Sequence, residues 1–267
     1  MEIIVIDDNG NGSHEQNNTF KELERYINTD KIIYIPHLKN INGAAARNTG
    51  LRRASGKYVA LLDDDDYYLP DKIKKQVAFM ESRDESWGAC YTGYKRKLKS
   101  GDREYTKSKR GSLVKEILLN KVDMCSGSTL LFRKSIIDIC GYFDESLKRH
   151  QDYQFVLAIA SRFKIGFIPS VESVIVETEK KYFIRTGEEM ERTKKAFTAS
   201  VADIIDNLPR ETQRTVIAHL YADAGKFYLA ERDFRNVIRL MRESGYPLYF
   251  LLGVIRMIFL HLYKRIT

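Results

Sequence analysis

Lys57 Tyr58 Val59 Ala60 Leu61 Leu62 Asp63 Asp64 Asp65 Asp66, followed closely by Leu69 Pro70 Asp71, is the stretch on which the fold turns. A short apolar run ends in four consecutive carboxylates and leads straight into a helix start, the pattern of a buried strand that delivers acidic side chains to a sheet edge. One or two aspartates there are explained as helix caps, or as negative charge at the positive end of a helix dipole. Four exceed that need, because each ionised neighbour raises the cost of ionising the next. Hard oxygen ligands packed so closely point to a divalent cation.

Working outward, short runs rich in β-branched residues alternate with helical patterns. Ile3 to Ile6, Lys31 to Ile35, Lys57 to Leu62 and Trp87 to Tyr91 read as strands, and Thr19 to Tyr26, Gly43 to Ala54 and Pro70 to Met80 read as helices. In the last of these Ile73, Val77 and Met80 recur at helical spacing. The alternation predicts an α/β domain with parallel crossovers, whose ligands gather beyond the carboxyl ends of the strands. Two such ends carry aspartates, Asp7 Asp8 and Asp63 to Asp66. From Gly187 onward the pattern is helical: Glu188 to Ile205, Glu211 to Ala230, Asp233 to Glu243, and a terminal segment from Tyr246. A domain over 1–186 and a helical extension over 187–267 are therefore expected.

The 267 residues carry a formal charge of +8, with 43% hydrophobic and 30% charged residues, which fits a globular protein with a real core. The basic residues are dispersed and no nucleic-acid motif accompanies them, so nucleic acid is not an expected partner. The denser basic stretch from Lys95 to Arg110 suits a solvated loop or a surface facing anionic lipid or a phosphorylated acceptor. Three cysteines, Cys90, Cys125 and Cys140, lack CxxC spacing, so neither a disulfide framework nor a zinc site is indicated and a cytoplasmic home is expected. The apolar run from Pro247 to Tyr263 is interrupted by Arg256 and followed by Lys264 and Arg265. Two readings stand for residues 246–265: peripheral contact with the inner face of a membrane, or a helix buried on protein.

Asn42 Gly43 Ala44 Ala45 Ala46 Arg47 Asn48 Thr49 Gly50 opens with an N-cap residue and small side chains that let a flat ligand or another backbone approach. Arg47 adds a planar fork suited to stacking, to phosphate or to a salt bridge. Together with Ile4 Val5 Ile6 Asp7 Asp8 and Leu61 to Asp66, then Ser126 Gly127 Ser128 Thr129 Leu130 Leu131 Phe132 Arg133 Lys134, Gly141 Tyr142 Phe143 Asp144 Glu145 and Gln151 Asp152 Tyr153, this ordered set resembles the family 2 glycosyltransferases over roughly residues 1 to 178.

The resemblance implies a GT-A, Rossmann-like fold, a mostly parallel sheet flanked by helices. It implies transfer of a sugar from a nucleotide-diphosphate donor, a UDP-sugar by preference, to a saccharide or lipid-linked hydroxyl acceptor with inversion, in polysaccharide or glycolipid synthesis. Asp7 or Asp8, with Asp8 preferred, would meet the donor's base with Arg47 beside it. Asp63, with Asp64 near, would face the ribose, and Asp65 would hold Mg²⁺ or Mn²⁺ against the diphosphate. Asp152 would be the catalytic base, Gly127 and Ser128 would line the acceptor side with Ser126 and Thr129, and Lys181 or Arg185 would touch phosphate from a loop. Gln151 stands where an acidic residue is common in the family.

The family pattern begins with an earlier strand and helix, so the resemblance leaves about 30 residues, one βα unit, unaccounted for before Met1. An inactive binding or scaffold protein is the alternative reading on that ground. A haloacid-dehalogenase-like phosphatase would need Thr or Val where Tyr67 stands, and a sugar nucleotidyltransferase would need a Gly-rich N-terminal loop that is absent.

Overall fold

The structure, a computed structural model, describes residues 1–29, 32–99, 101–124, 127–176 and 186–255. Its chain forms two compact units, one of residues 1–112 and 123–177, the other of residues 113–122 and 178–267. The units are thus not two continuous stretches divided at residue 186, because the short segment 113–122 groups with the C-terminal helices.

In the first unit β1 (Ile4–Asp7) and β2 (Ile33–Pro36) form a parallel pair joined by the crossover helix α1 (His14–Ile27). Ser13 starts α1 by accepting from the Gln16 N–H at 3.1 Å, which places the helix start five residues before the apolar periodicity announced it. Helix α2 (Gly43–Arg53) is capped by Asn42, whose side chain accepts from the Ala45 N–H. It leads to β3 (Tyr58–Ala60), the acidic loop and the short β4 (Tyr67–Tyr68), then α3 (Lys72–Glu81).

The longer strand β5 (Trp87–Lys97) is the axis of a six-stranded sheet with β6 (Arg103–Tyr105), β7 (Leu130–Arg133) and β8 (Lys164–Val176). The order is β3-β7-β5-β8-β4, with β6 pairing β5. Here the expected mostly parallel sheet needs correction. Only β5 and β8 run parallel, whereas β3–β7, β5–β7, β5–β6 and β4–β8 are antiparallel. Strand and helix alternation implies parallel neighbours only where successive strands lie side by side, and here β7 inserts between β3 and β5.

The pleat sends alternate residues to opposite faces. On one face Leu131 and Cys90 meet Met80 of α3, with Ile73, Val77 and Phe79 packed around them. On the other, Phe132 meets Phe155 at 5.2 Å between ring centres, from helix α6 (Gln151–Ala160). The sheet is therefore covered on both faces by helices whose positions along the chain fix where the acidic loop and the start of α6 emerge. Gly166 of β8 is required by this packing, since a Cβ there would lie 2.2 Å from the Phe79 ring. A short helix, α5 (Ile137–Cys140), links β7 to the loop before α6.

The second unit contains α4 (Val114–Leu118), α7 (Gly187–Ser200), α8 (Ala202–Asp206), α9 (Arg210–Ala230), α10 (Phe234–Glu243) and a final helical stretch over 247–255. Its core gathers Met190, Ala218, Ala222, Tyr228, Leu240, Phe250 and Val254. A buried ion pair joins Lys194 of α7 to Asp223 of α9 at 2.6 Å, and Arg239 of α10 binds Glu191 of α7 at 2.6 Å. Hydrogen bonds from Arg239, the largest contribution, and from Lys195 and Tyr228 hold the Glu191 carboxyl down at about 2. No helix among the described residues is long and apolar enough to cross a membrane.

Candidate active site

The acidic loop after β3 is pinned from below. The Asp63 N–H donates to the Ser128 hydroxyl at 3.0 Å, the Asp66 N–H closes a turn on the Asp63 carbonyl, and the Asp66 carboxylate accepts from the Val176 N–H at 3.1 Å. The Tyr68 hydroxyl donates to the Leu61 carbonyl. Burial raises the Asp66 carboxyl above its ordinary range, against hydrogen bonds from Ser128 and Val176 that pull it down. Asp66 is thus a tie between loop and sheet. Asp63 and Asp65 are half-buried, and Asp64 is exposed.

Arg47 is the centre of the site. Its Nη2 lies 2.8 Å from Asp63 Oδ1 and its Nη1 3.5 Å from Asp152 Oδ1, with the guanidinium 5.6 Å from the Phe143 ring centre. Burial works against its charge, but the carboxylates of Asp152 and Asp63 outweigh that and raise its pKa. Asp152 is the second residue of α6, where the free N–H groups of the helix end favour a negative charge. Its Oδ1 is shut off from solvent and receives no hydrogen bond, although 35% of the side chain is exposed. Burial pushes the Asp152 carboxyl above the usual range; Arg47 acts against this and Asp63 adds to it. A small, mainly apolar cleft opens beside it, lined by Leu61, Gly127, Phe143, Asp152 and Tyr153 among others.

Asp7 and Asp8 belong to a second cluster, joined to the first through α2. Asp7 is buried, with Oδ2 accepting from the Tyr34 hydroxyl at 2.7 Å and Oδ1 from the Asn9 N–H at 3.0 Å. Asp8 Oδ1 pairs with His37 Nδ1 at 2.7 Å and accepts from the Ile41 N–H, while His37 Nε2 lies 2.9 Å from the Thr49 hydroxyl. Arg47 does not sit beside Asp8 as expected. Positions 47 and 49 of a helix point about 200° apart, so Thr49 turns to the β1–β2 end and Arg47 turns to the β3 loop and α6.

The acceptor-side pair also divides. Gly127 faces the cleft, and a Cβ there would lie 3.9 Å from Asp152 Oδ1. Ser128 instead is fully buried beneath the acidic loop, accepting from Asp63 with its hydroxyl and from the Ser173 hydroxyl with its carbonyl. Thr129 is likewise buried, its hydroxyl donating to the Met124 carbonyl. Ser128 supports the loop, whereas Thr129 ties the turn over 127–129 to Met124 and Gln76 before β7 begins. Ser126, Lys181 and Arg185 lie outside the described residues.

Three residues that sequence reasoning gave no role support this site. Asn48 clamps the loop before α6, as its side chain accepts from the Phe143 N–H at 2.9 Å and donates to the Phe143 carbonyl at 2.9 Å and to Glu145 Oε1 at 2.7 Å. Gln76 donates from α3 to the Thr129 and Cys90 carbonyls. Lys72 is fully buried, donates to Gln76 Oε1 at 2.7 Å and stands 3.9 Å from the Tyr68 ring centre, beneath the acidic loop. Burial brings its pKa down to about 7. A lysine at a helix start reads as solvated, so only the fold reveals this burial.

No group of three or more His, Cys, Asp or Glu side chains poised around a metal occurs among the described residues. The acidic loop instead presents Asp63 and Asp65 half-buried and Asp64 exposed, hard oxygen donors gathered at one strand end.

The family description Glycosyl transferase family 2 matches residues 1–140. The chain belongs to that family. It is similar to an uncharacterized glycosyltransferase of Rickettsia bellii, 31% identical over 176 residues, which are 63% of this chain and 23% of the relative. TuaG of Bacillus subtilis, a protein named for teichuronic acid biosynthesis, is 40% identical over 94 residues, 35% of this chain and 34% of the relative. Among solved structures, Staphylococcus aureus TarS 1-349 superposes with a TM-score of 0.59 at 20% identity, covering 81% of this chain and 60% of that one. The same protein in complex with UDP gives 0.59 at 16% identity, with 91% and 82% covered. A mannosyltransferase from Pyrobaculum calidifontis in complex with GDP-Man and Mn²⁺ gives 0.52 at 14% identity, with 96% and 77% covered. The fold is therefore of the GT-A type. The chain spans about a quarter of the length of the Rickettsia bellii and Rickettsia conorii relatives it matches.

Proposed function

We propose that this chain transfers a sugar from a nucleotide-diphosphate donor, a UDP-sugar by preference, to a hydroxyl acceptor with inversion at the anomeric carbon. The observation that carries the reading is the Arg47 bridge, which brings a carboxylate from the acidic strand end and a carboxylate from the start of α6 onto one guanidinium. The first belongs to the donor side and the second to the reacting hydroxyl.

In this reading Asp152 accepts the proton of the acceptor hydroxyl as its oxygen bonds to the anomeric carbon from the side opposite the diphosphate. The bond from that carbon to the diphosphate oxygen breaks, and the electron pair leaves with the diphosphate. One displacement gives inversion. Burial makes Asp152 a stronger base than an exposed carboxylate, while Arg47 acts against that rise and fixes its direction. Asp63 and Asp64 face the donor's ribose, Asp7 and Asp8 shape the end that takes its base, and Gly127 leaves room for the acceptor beside Asp152. Mg²⁺ or Mn²⁺, held by Asp65 together with the donor's diphosphate, would offset the charge on the leaving group. Support comes from the family membership, from the UDP complex of TarS 1-349 and from the Mn²⁺ named with the Pyrobaculum calidifontis enzyme. The name of TuaG, a putative teichuronic acid biosynthesis glycosyltransferase, supports a role in polysaccharide synthesis.

Isothermal titration of UDP with and without Mn²⁺, into the wild type and Asp65→Ala, tests the donor site. Metal-dependent binding that Asp65→Ala loses is expected. Binding of equal strength in both proteins, or none in a folded wild type, refutes the assignment.

A further inference from the structure

The final helical stretch, residues 247–255, presents two apolar faces. Phe250 and Val254 are 0% and 7% exposed and close the core of the second unit, where Gly225 of α9 makes room for the Phe250 ring. Leu248, Leu251, Leu252 and Ile255 are 67%, 46%, 56% and 49% exposed. Their spacing of i, i+3, i+4 and i+7 makes one continuous stripe along the helix. Because the inner face is anchored, the stripe is held outward and cannot turn into the core.

We propose that this stripe docks on an anionic lipid bilayer, with the helix lying in the interface plane. Charge selects the occupant. From Ser244 to Thr267 there is no Asp or Glu, while Arg256, Lys264 and Arg265 are basic. Leaving aside Arg239 and Glu243, which pair with each other while Arg239 also binds Glu191, the sequence over 232–267 carries six basic residues (Arg232, Arg235, Arg242, Arg256, Lys264, Arg265) and one acidic residue (Asp233). A second copy meeting the same stripe would bring like charges together, whereas anionic headgroups complement them. Apolar side chains flanked by arginine and lysine are what an interfacial helix uses, the first for the acyl boundary and the second for the headgroups. Of the two readings that the sequence left open for 246–265, each is served by a different face of the described stretch 247–255. The inference is independent of the donor chemistry, and it can fail while that chemistry stands.

The test is sedimentation of the full chain with vesicles of phosphatidylcholine alone or mixed with phosphatidylglycerol, alongside sedimentation equilibrium without lipid. A monomer that co-sediments with the mixed vesicles, more weakly at high salt, is expected. Leu251→Glu with Leu252→Glu should weaken that binding on the order of 100-fold. Both positions are exposed, so the double variant should keep the wild-type melting curve. Absence of vesicle binding overturns the proposal, as does vesicle binding that the double variant leaves unchanged. So does a dimer that ignores vesicles and is broken by the same substitutions.

Discussion

Asn48→Ala should be among the most damaging polar substitutions in the sheet unit. Asn48 is 1% exposed, and its amide exchanges hydrogen bonds with both the N–H and the carbonyl of Phe143, itself 3% exposed. Alanine would leave those two backbone groups buried and unpaired, each at about 1–3 kcal/mol. A loss of about 3–4 kcal/mol is expected, which in a chain of this size lowers the melting midpoint by roughly 10 °C. The single tryptophan, Trp87, begins β5, so urea unfolding followed by its fluorescence reads the sheet unit directly. Glu145→Ala is the control, since it removes one hydrogen bond and an exposed ion pair with Arg52 from a side chain that is 43% exposed and should cost less than about 1 kcal/mol. Asn48→Asp keeps the acceptor for the Phe143 N–H but turns lone pairs toward the Phe143 carbonyl and Glu145, and should be at least as harmful as alanine. Transfer should fall too, because the Phe143 ring stacks on Phe155 at 4.1 Å and lies beside Arg47. An Asn48→Ala midpoint within about 0.5 kcal/mol of wild type, or equal to that of Glu145→Ala, would refute the reasoning.

Asp152→Asn should lower the transfer rate by about 10²–10⁴-fold with UDP binding retained, measured by product formation and titration. Burial holds the Asp152 carboxyl above its ordinary range, so transfer should be lost as pH falls through that raised value, and Arg47→Met should move this acid limb to higher pH. A limb that stays in place excludes the Arg47–Asp152 coupling. Lys72 titrates at about 7 when folded against 10.5 as its ordinary value, so the unfolded chain binds more protons between the two. Its contribution to stability should accordingly grow as pH rises through that window and be lost as pH falls to about 7, and Lys72→Met should flatten that part of the melting profile. Gly166→Ala should cost about 1–3 kcal/mol in urea unfolding, because the added methyl collides with Phe79.

The elements of the first unit were legible where local chemistry sets them. Apolar runs gave β1, β3 and β5, the spacing of Ile73, Val77 and Met80 gave α3, and Asn42 marked the start of α2. Strand direction was not legible, since a short apolar run such as Leu130 Leu131 Phe132 reads as a strand whichever way its neighbour runs. Hydrogen bonding to β3 and β5 decides it.

The site divides in the same way. Carboxylates at strand ends, and an acid at the head of an apolar helix, are visible in the chain itself because they need only composition at a position: Asp7, Asp8, Asp63 to Asp66 and Asp152. Which of them meet was decided by tertiary structure. The rotation of α2 between positions 47 and 49 sends Arg47 to Asp63 and Asp152 and leaves Asp8 to His37. The turn under the acidic loop makes Ser128, expected on the acceptor side, a buried brace. Burial does the same for Lys72 and Asn48, whose polarity predicts exposure and whose roles arise only when α3 and α2 close over the sheet and the loop before α6. Sequence fixes what each segment can form and which charges it carries, but partners come from packing, because contact between residues far apart in the chain depends on how the elements are oriented.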